Sequence, residues 1–396
     1  MIERRKYLIP EEWLSKPRIV SGLMSGTSLD GVDAALVKFW NFKGKHKFKL
    51  IDFQYLPFKS DFKKAILNVI NSKILISEVS SLNFQLADYF IKAIDLLLSK
   101  NKVKRSNVDL IGMHGQTVWH EPPNKNKLST QNSQLPTTLQ LGSAPVLCHN
   151  LNIPVISDFR SADVALGGQG APLVPIFDRE FLSDKMRNVI ALNIGGISNI
   201  TYLPMNGDVI AIDTGPGNVL IDTFSKTLFR TDFDNHGSIA VSGKFSEPLF
   251  NYLTKIKYIK DKPPKSTGRE LFDKKLSEKI IQIIRKYKIP KNDVIFTLTQ
   301  FTAWSIAVNI RLFADEHSRV VVSGGGANNL TLLKLLRLEL PKAEIICSDD
   351  IGIDSDAKEA ICFAYLAWRN IANLPGNIKT VTGARKEIIL GSLTLP

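Results

Sequence analysis

Apolar residues along the chain switch between two spacings, and the switches mark its elements. Arg18–Met24 is a short apolar run rich in β-formers; it breaks at Ser25-Gly26-Thr27-Ser28 and resumes over Val32–Phe39. Strand, glycine turn, strand is the natural reading, and alternation over 47–58 adds a third strand. Residues 61–100 carry apolar positions at helical spacing. Val108–His114 reads as a buried strand, 122–136 as a polar loop or hairpin tip, 144–151 as a helix and Pro154–Ser157 as a short strand. A glycine-rich block, Asp158–Pro175, follows. The pattern then restarts with strand 189–194, a Gly195-Gly196 turn, a strand to about 204, and one ending at Ile212. Helices dominate 219–315, broken at 261–268. Strand 319–322, helix 328–340, strand 344–347 and helix 357–370 complete the series, and the tail from Pro375 reads as irregular.

Two strand–turn–strand units, at 18–39 and 189–204, open the two halves, so the fold class is α/β with two related lobes. The division expected is a 1–17 extension (an appended tail or short surface helix), a first lobe over 18–180, a second over 181–372, and a 373–396 tail packing on the first. Ligand sites on such folds lie in a central cleft between lobes.

Composition adds limits. The chain has 396 residues and an ordinary 44% hydrophobic share, enough for large cores without disulfides. The three cysteines, Cys148, Cys347 and Cys362, form no CxxC pair, which fits a reducing cytoplasm. The first seventeen residues lack a secretory signal's apolar core, and Ile361–Trp368 is too short to span a bilayer. The net charge of +13 comes from separated lysine clusters without interleaved stacking aromatics, so nucleic acid is not an expected partner.

The candidate chemistry sits where strands end. Ser25, Gly26, Thr27, Ser28 and Asp30 make a turn of hydroxyls and backbone N–H groups suited to a triphosphate, though a plain hairpin explains the glycine equally well. The GxxxxGK[ST] pattern of a P-loop is absent from it. Asn193–Asn199, with Gly195 and Gly196, and Ser323–Asn329, with Gly324, Gly325 and Asn328, are two further glycine loops directly after buried strands. Three such loops favour a nucleotide site. Asp213, before Thr214-Gly215-Pro216-Gly217-Asn218, is placed as a general base or as a turn and cap aspartate. Asp158, Arg160 and Asp163, beside a flexible Gly167–Gly170 loop, read as an arginine clamp or a surface ion pair. His114 and Gln116 fit sugar hydroxyls better than zinc. Thr267 and Glu270 match a capping box, and Glu359 lies on a helix.

Taken together, GLMSGTSLDGVD (22–33), GMHGQT (112–117), HEP (120–122), DFRSADVALGGQGAPLVP (158–175), LNIGGISN (192–199), DTGPGN with VLID (213–222), PKSTGRE (264–270), SGGGANN (323–329) and PGN…VTGA (375–384) resemble the anhydro-N-acetylmuramic acid kinase family. That family lies within the sugar kinase, heat-shock chaperone and actin (ribonuclease H-like) superfamily. The segments run in family order from residue 18 to residue 384, and residues 1–17 fall outside them.

The resemblance implies an ATP- and Mg²⁺-dependent reaction in peptidoglycan recycling. Water opens the 1,6-anhydro ring at C1 while O6 takes the γ-phosphoryl group. It implies Asp213 as base. Ser25, Gly26, Thr27, Ser28 and Asp30 face the phosphates and metal, Mg²⁺ being held through the phosphates with Asp30 as a candidate ligand. Gly195 and Gly196 form the second phosphate loop, and Gly324, Gly325 and Asn328 approach the adenosine. Gln116, Asp158, Arg160 and Glu359 contact the sugar. The rivals are a kinase of another anhydrosugar such as levoglucosan, and a non-catalytic nucleotide-binding switch on the same fold. The expected partner is a small-molecule anhydrosugar, with no nucleic acid and no membrane; a homodimer is left open.

Overall fold

The computed structural model describes residues 10–396 apart from 27–28, 124–134, 263–264, 266, 268, 313 and 315–316. Its chain divides into two units, one of residues 1–181 and 357–396, the other of 182–356.

The first unit is built on a mixed sheet. Strands β1 (Arg18–Ser25), β2 (Gly31–Phe42) and β3 (Lys45–Pro57) form an antiparallel meander. On the other side of β1, strands β4 (Leu110–Glu121) and β6 (Val155–Ser157) run parallel to it, and β5 (Thr137–Leu141) hairpins onto β4. The sheet order is β12-β6-β4-β1-β2-β3, closed at one edge by β12 (Ser392–Thr394). The helical spacing over 61–100 resolves into two helices, α2 (Ser60–Ile70) and α3 (Ile76–Lys100). With α4 (Ala144–Leu151) they cover one sheet face, and Leu86, Phe90, Ile94 and Leu97 of α3 are among the buried core residues there.

The other face of this sheet carries a helix that the sequence reading placed with the second lobe. Helix α12 (Lys358–Ile371) lies across β1, β2 and β4. Gly22 and Gly112 are register partners on β1 and β4. A Cβ on Gly22 would collide with the Ala360 carbonyl, and one on Gly112 with the Phe363 carbonyl. Two adjacent glycines therefore let the helix backbone touch the sheet, an approach only a residue without Cβ permits. The boundary at 372 is accordingly corrected: chain order put this helix at the end of the second lobe, but its packing partners belong to the first unit.

The extension is also more than a tail. Residues Pro10–Leu14 form a helical turn, α1, whose Trp13 is fully buried. Its indole Nε1 donates to the Trp368 carbonyl at 3.1 Å, and the Arg18 guanidinium lies 4.7 Å from the ring centre. The tail beyond Pro375 holds a helical turn, α13 (Lys379–Thr382), besides β12.

The second unit repeats the sheet plan. Strands β7 (Val189–Ile194), β8 (Ile197–Leu203) and β9 (Ile210–Pro216) form an antiparallel meander, and β10 (Arg319–Ser323) and β11 (Glu344–Cys347) add in parallel beside β7. Its order, β11-β10-β7-β8-β9, matches β6-β4-β1-β2-β3 of the first. Helix α10 (Lys291–Ile310) is buried on all sides. Ala303, Ile306 and Ile310 join the core against the sheet, while Val294, Leu298 and Phe301 join a second core with α7 (Val219–Phe229) and α8 (Glu247–Leu253). A helix buried all round needs no polar stripe, so each polar residue on it calls for a reason.

Candidate active site

In the second unit, Asp213 lies within β9, which runs on through Pro216 instead of stopping at Ile212. The carboxylate is partly buried, and its Oδ2 accepts the backbone N–H of Thr267 at 2.9 Å. The Asp213 carbonyl accepts the Tyr258 hydroxyl at 3.0 Å. Lys265 lies close by: its Nζ donates to the carbonyls of Tyr258 and Ile259 at 2.9 and 3.0 Å and stands 4.8 Å from the Tyr258 ring centre. Burial pulls its ammonium down to about 8, against the opposing pull of Asp261 and Asp213. Tyr258, Lys265 and Thr267 thus gather around the aspartate. The Thr267 N–H donates to Asp213; the side chain of Glu270 lies outside the described residues, and the capping-box reading lies there with it.

The segment after Asp213 is held from beneath by residues that sequence reasoning missed. Ser305 Oγ and Asn309 Nδ2 of α10 donate to the Thr214 carbonyl at 2.7 and 2.9 Å, and Thr302 Oγ1 donates to the Gly217 carbonyl at 2.9 Å. All three side chains are buried. Their signal was present: 302, 305 and 309 fall on one face of an otherwise apolar helix. Gly215 has φ 134°, and a Cβ there would strike Ser305, so this glycine is required by both conformation and space.

Gly195 and Gly196 form the β7–β8 turn. Their carbonyls accept the N–H groups of Asn218 (2.8 Å, from Gly195) and of Gly217 and Val219 (2.9 and 3.0 Å, from Gly196). The Asp213 loop and the glycine turn are therefore one hydrogen-bonded body, and the N–H groups of Asn218 and Val219 at the start of α7 are satisfied within it. Gly324, with φ 78°, packs against Asn193 and Ile194, which brings the third glycine loop to the same strand ends. A Cβ on Gly325 would meet only Asn218 Nδ2, at 4.0 Å. Asn328 is exposed, whereas the neighbouring Asn329 caps helix α11 (Leu330–Glu339) by accepting the Leu332 N–H at 2.9 Å.

In the first unit, Ser25 at the end of β1 and Gln116 midway along β4 are register partners. Both are buried, with Ser25 Oγ 2.6 Å from Gln116 Oε1 and 2.9 Å from the Gly31 carbonyl. Gln116 Nε2 donates to the Thr117 carbonyl at 3.1 Å. Gln116 is thus tied to Ser25, the last residue of β1 and the start of the turn after it. In that turn the Leu29 N–H donates to the Gly26 carbonyl at 3.2 Å, and Asp30 is exposed. Thr27 and Ser28 lie outside the described residues.

Arg160, at the start of α5 (Ser161–Ala165), donates Nε to His114 Nε2 at 3.0 Å and Nη1 to the Gly170 carbonyl at 2.7 Å. An arginine donates only, so His114 Nε2 accepts, and the imidazole proton sits on Nδ1, which faces the Gly115 carbonyl at 2.9 Å. Burial, reinforced by Arg160, pulls His114 down to about 3, so the ring is neutral. Burial also lowers Arg160 to about 10, opposed by Glu359. Glu359, in the first turn of α12, has its carboxyl pushed up by burial, against the pull of Lys358 and Arg160. Beside it, Lys358 Nζ pairs with Asp178 at 2.7 Å, both side chains almost fully buried. Asp158 has φ 59° and accepts the Ser161 N–H at 3.2 Å. A cavity of about 220 Å³ opens here, lined by His114, Thr138, Gln140, Ser157, Asp158 and Ser161 among others.

The described residues include no group of three or more His, Cys, Asp or Glu side chains able to hold a metal. They also include no helix long and apolar enough to cross a membrane.

The anhydro-N-acetylmuramic acid kinase family model matches residues 18–396. An anhydro-N-acetylmuramic acid kinase of Bacillus cereus (strain AH820) is 39% identical over 388 residues, covering 95% of this chain and 99% of that protein. One of Bacillus anthracis (strain CDC 684 / NRRL 3495) is 38% identical over 388 residues, with the same coverage. Among solved structures, component A of the (R)-2-hydroxyglutaryl-CoA dehydratase of Acidaminococcus fermentans is similar at 10% identity and a TM-score of 0.47, covering 90% of this chain and 99% of that one. With a family model spanning all but the first seventeen residues and relatives matched over nearly their full length, the chain belongs to the anhydro-N-acetylmuramic acid kinase family.

Proposed function

We propose that this chain is an ATP-dependent kinase that hydrolytically opens the 1,6-anhydro ring of anhydro-N-acetylmuramic acid and phosphorylates O6, in peptidoglycan recycling. The observation that carries the reading is Asp213, held within β9 by the Thr267 N–H and the Tyr258 hydroxyl in a chain of this family. The Asp213 carboxylate takes a proton from water as the water oxygen bonds to C1, as the base does in inverting glycosidases. The C1–O6 bond breaks, O6 bonds to the γ-phosphorus, and the bond from that phosphorus to ADP breaks. The products are N-acetylmuramic acid 6-phosphate and ADP. Phosphoryl capture replaces protonation of the leaving oxygen, so that half of the reaction depends on positioning and charge neutralisation.

Backbone groups of the Ser25–Asp30 turn, Gly195 and Gly196 serve the phosphates, while Gly324, Gly325 and Asn328 serve the adenosine. Arg160, Glu359, Asp158 and Gln116 serve the sugar. Arg160 spends Nε and one Nη1 hydrogen on His114 and Gly170, and its Nη2 hydrogens suit an anionic or hydroxyl-bearing ligand. A Mg²⁺ ion fits as a phosphate-held ion, since magnesium commonly takes one or two carboxylates and otherwise phosphate and water, and exposed Asp30 is such a carboxylate. Bound there it would neutralise charge developing on the transferring phosphoryl group.

The test is incubation with anhydro-N-acetylmuramic acid, ATP and Mg²⁺ in ¹⁸O-water. The expected product carries label at C1 and phosphate on O6. ATP turnover indifferent to the sugar, or turnover faster on levoglucosan, sinks the reading.

A further inference from the structure

The Asp163 carboxylate is fully buried, yet it lies outside the groups that the reaction calls on. Its Oδ2 accepts the Gly170 N–H at 2.8 Å. Its Oδ1 accepts Nδ2 of Asn377 and Oγ1 of Thr382, both at 2.7 Å. A buried carboxylate is expensive unless several donors converge on it. Here the donors come from the Gly167–Gly170 loop and from a segment more than 200 residues further along the chain. The packing is tight as well: a Cβ on Gly168 would strike Asp163 Oδ2, and the Gln169 N–H donates to the Thr382 carbonyl at 2.8 Å.

The same Gly170 whose N–H binds Asp163 offers its carbonyl to Arg160 Nη1 at 2.7 Å. Gly170 has φ 63°, a conformation that suits glycine. One residue therefore carries the carboxylate's hold on one side and the guanidinium's on the other. His114 Nε2 fixes the remaining edge of Arg160. With two of its groups held, the guanidinium plane has one orientation, and Gly170 sets half of it.

We propose that Asp163 is a positioning residue: acting through Gly170, it aims Arg160 at the sugar and makes the Asn377–Thr382 segment a part of the substrate site. The proposal rests on the reading of Arg160 as a sugar contact. Misplacement of a positioned group by about 1 Å can cost on the order of a hundredfold, so loss of this anchor has a kinetic signature distinct from lost stability.

The experiment measures steady-state kinetics of the full chain against anhydro-N-acetylmuramic acid and against ATP. Asp163→Asn places an amide N–H₂ among groups that all donate, and Thr382→Val removes a single donor. The expected result is a rise in sugar KM of about tenfold or more for Asp163→Asn and a smaller rise for Thr382→Val. KM for ATP should stay within twofold, and Thr382→Ser should restore the wild-type value. If Asp163→Asn does not fold, Thr382→Val against Thr382→Ser decides. A lowered melting temperature with unchanged sugar KM makes Asp163 a structural anchor only and overturns the proposal. Arg160→Met is the control. If it raises sugar KM while the Asp163 and Thr382 variants do not, the positioning role alone fails. If it too leaves sugar KM unchanged, the sugar role of Arg160 fails and the proposal falls with it.

Discussion

Asp213 and Thr267, more than fifty residues apart, meet through one hydrogen bond of 2.9 Å from the Thr267 backbone N–H to the Asp213 Oδ2. The donor is backbone, so no substitution at 267 except proline removes it, whereas Asp213→Asn keeps the shape of the acceptor and removes the base. Loss of a general base costs about 10²–10⁴-fold in rate. Turnover should fall by that order while ATP affinity, measured by titration calorimetry, stays near wild type. Activity within about threefold of wild type would remove Asp213 from the mechanism.

Gly26 opens the proposed phosphate turn and is only partly buried. A valine there should raise KM for ATP at least tenfold while leaving the sugar KM and the melting temperature nearly unchanged, because a side chain would enter the space of the phosphates and not the core. A fall in melting temperature with unaltered ATP dependence would show a structural hairpin and nothing more.

His114 supplies a pH test. Burial and Arg160 hold it at about 3, well below the ordinary value near 6.5. The folded pKa is depressed, so its contribution to stability is fully present above about pH 6.5 and is lost as pH falls toward about 3. Each pH unit in that window costs up to about 1.4 kcal/mol. Denaturant unfolding at pH 7 and pH 5 should show wild type losing about 2 kcal/mol more than His114→Gln, whose amide oxygen still accepts from Arg160. Parallel pH dependences for the two proteins would contradict the neutral, buried tautomer.

Trp13 tests whether residues before the family's matched region belong to the fold. Its side chain is fully buried and hydrogen-bonded to the Trp368 carbonyl. Trp13→Ala should destabilise by about 3–5 kcal/mol, the usual range for a buried aromatic. Deleting residues 1–17 should do at least as much. A truncated protein melting at the wild-type temperature would return these residues to the status of a tail.

Much of this molecule is written locally. Alternating apolar residues and glycine breaks mark β1, β2, β7, β8 and β10 to within a few residues, because side-chain period and turn chemistry are properties of neighbouring positions. The same locality exposes the three glycine loops and the aspartate before Gly215-Pro216-Gly217. Local signals also misled: the run over 61–100 hides a break between α2 and α3, and the strand read as ending at Ile212 continues through Pro216.

The sequence by itself determined the order of strands and helices, the duplication of a strand–turn–strand opening, and the residue types at the strand ends, since each follows from periodicity within about a dozen residues. Only the tertiary structure decided which of them meet. It set α12 on the glycine pair Gly22 and Gly112, and put Ser305 and Asn309 beneath the Thr214 carbonyl. It joined Arg160 to His114, and drew Asn377 and Thr382 onto Asp163. Those pairs are separated by tens to hundreds of residues. Their cause is the pairing of parallel strands and the burial of polar atoms that must then find partners, wherever along the chain those partners lie.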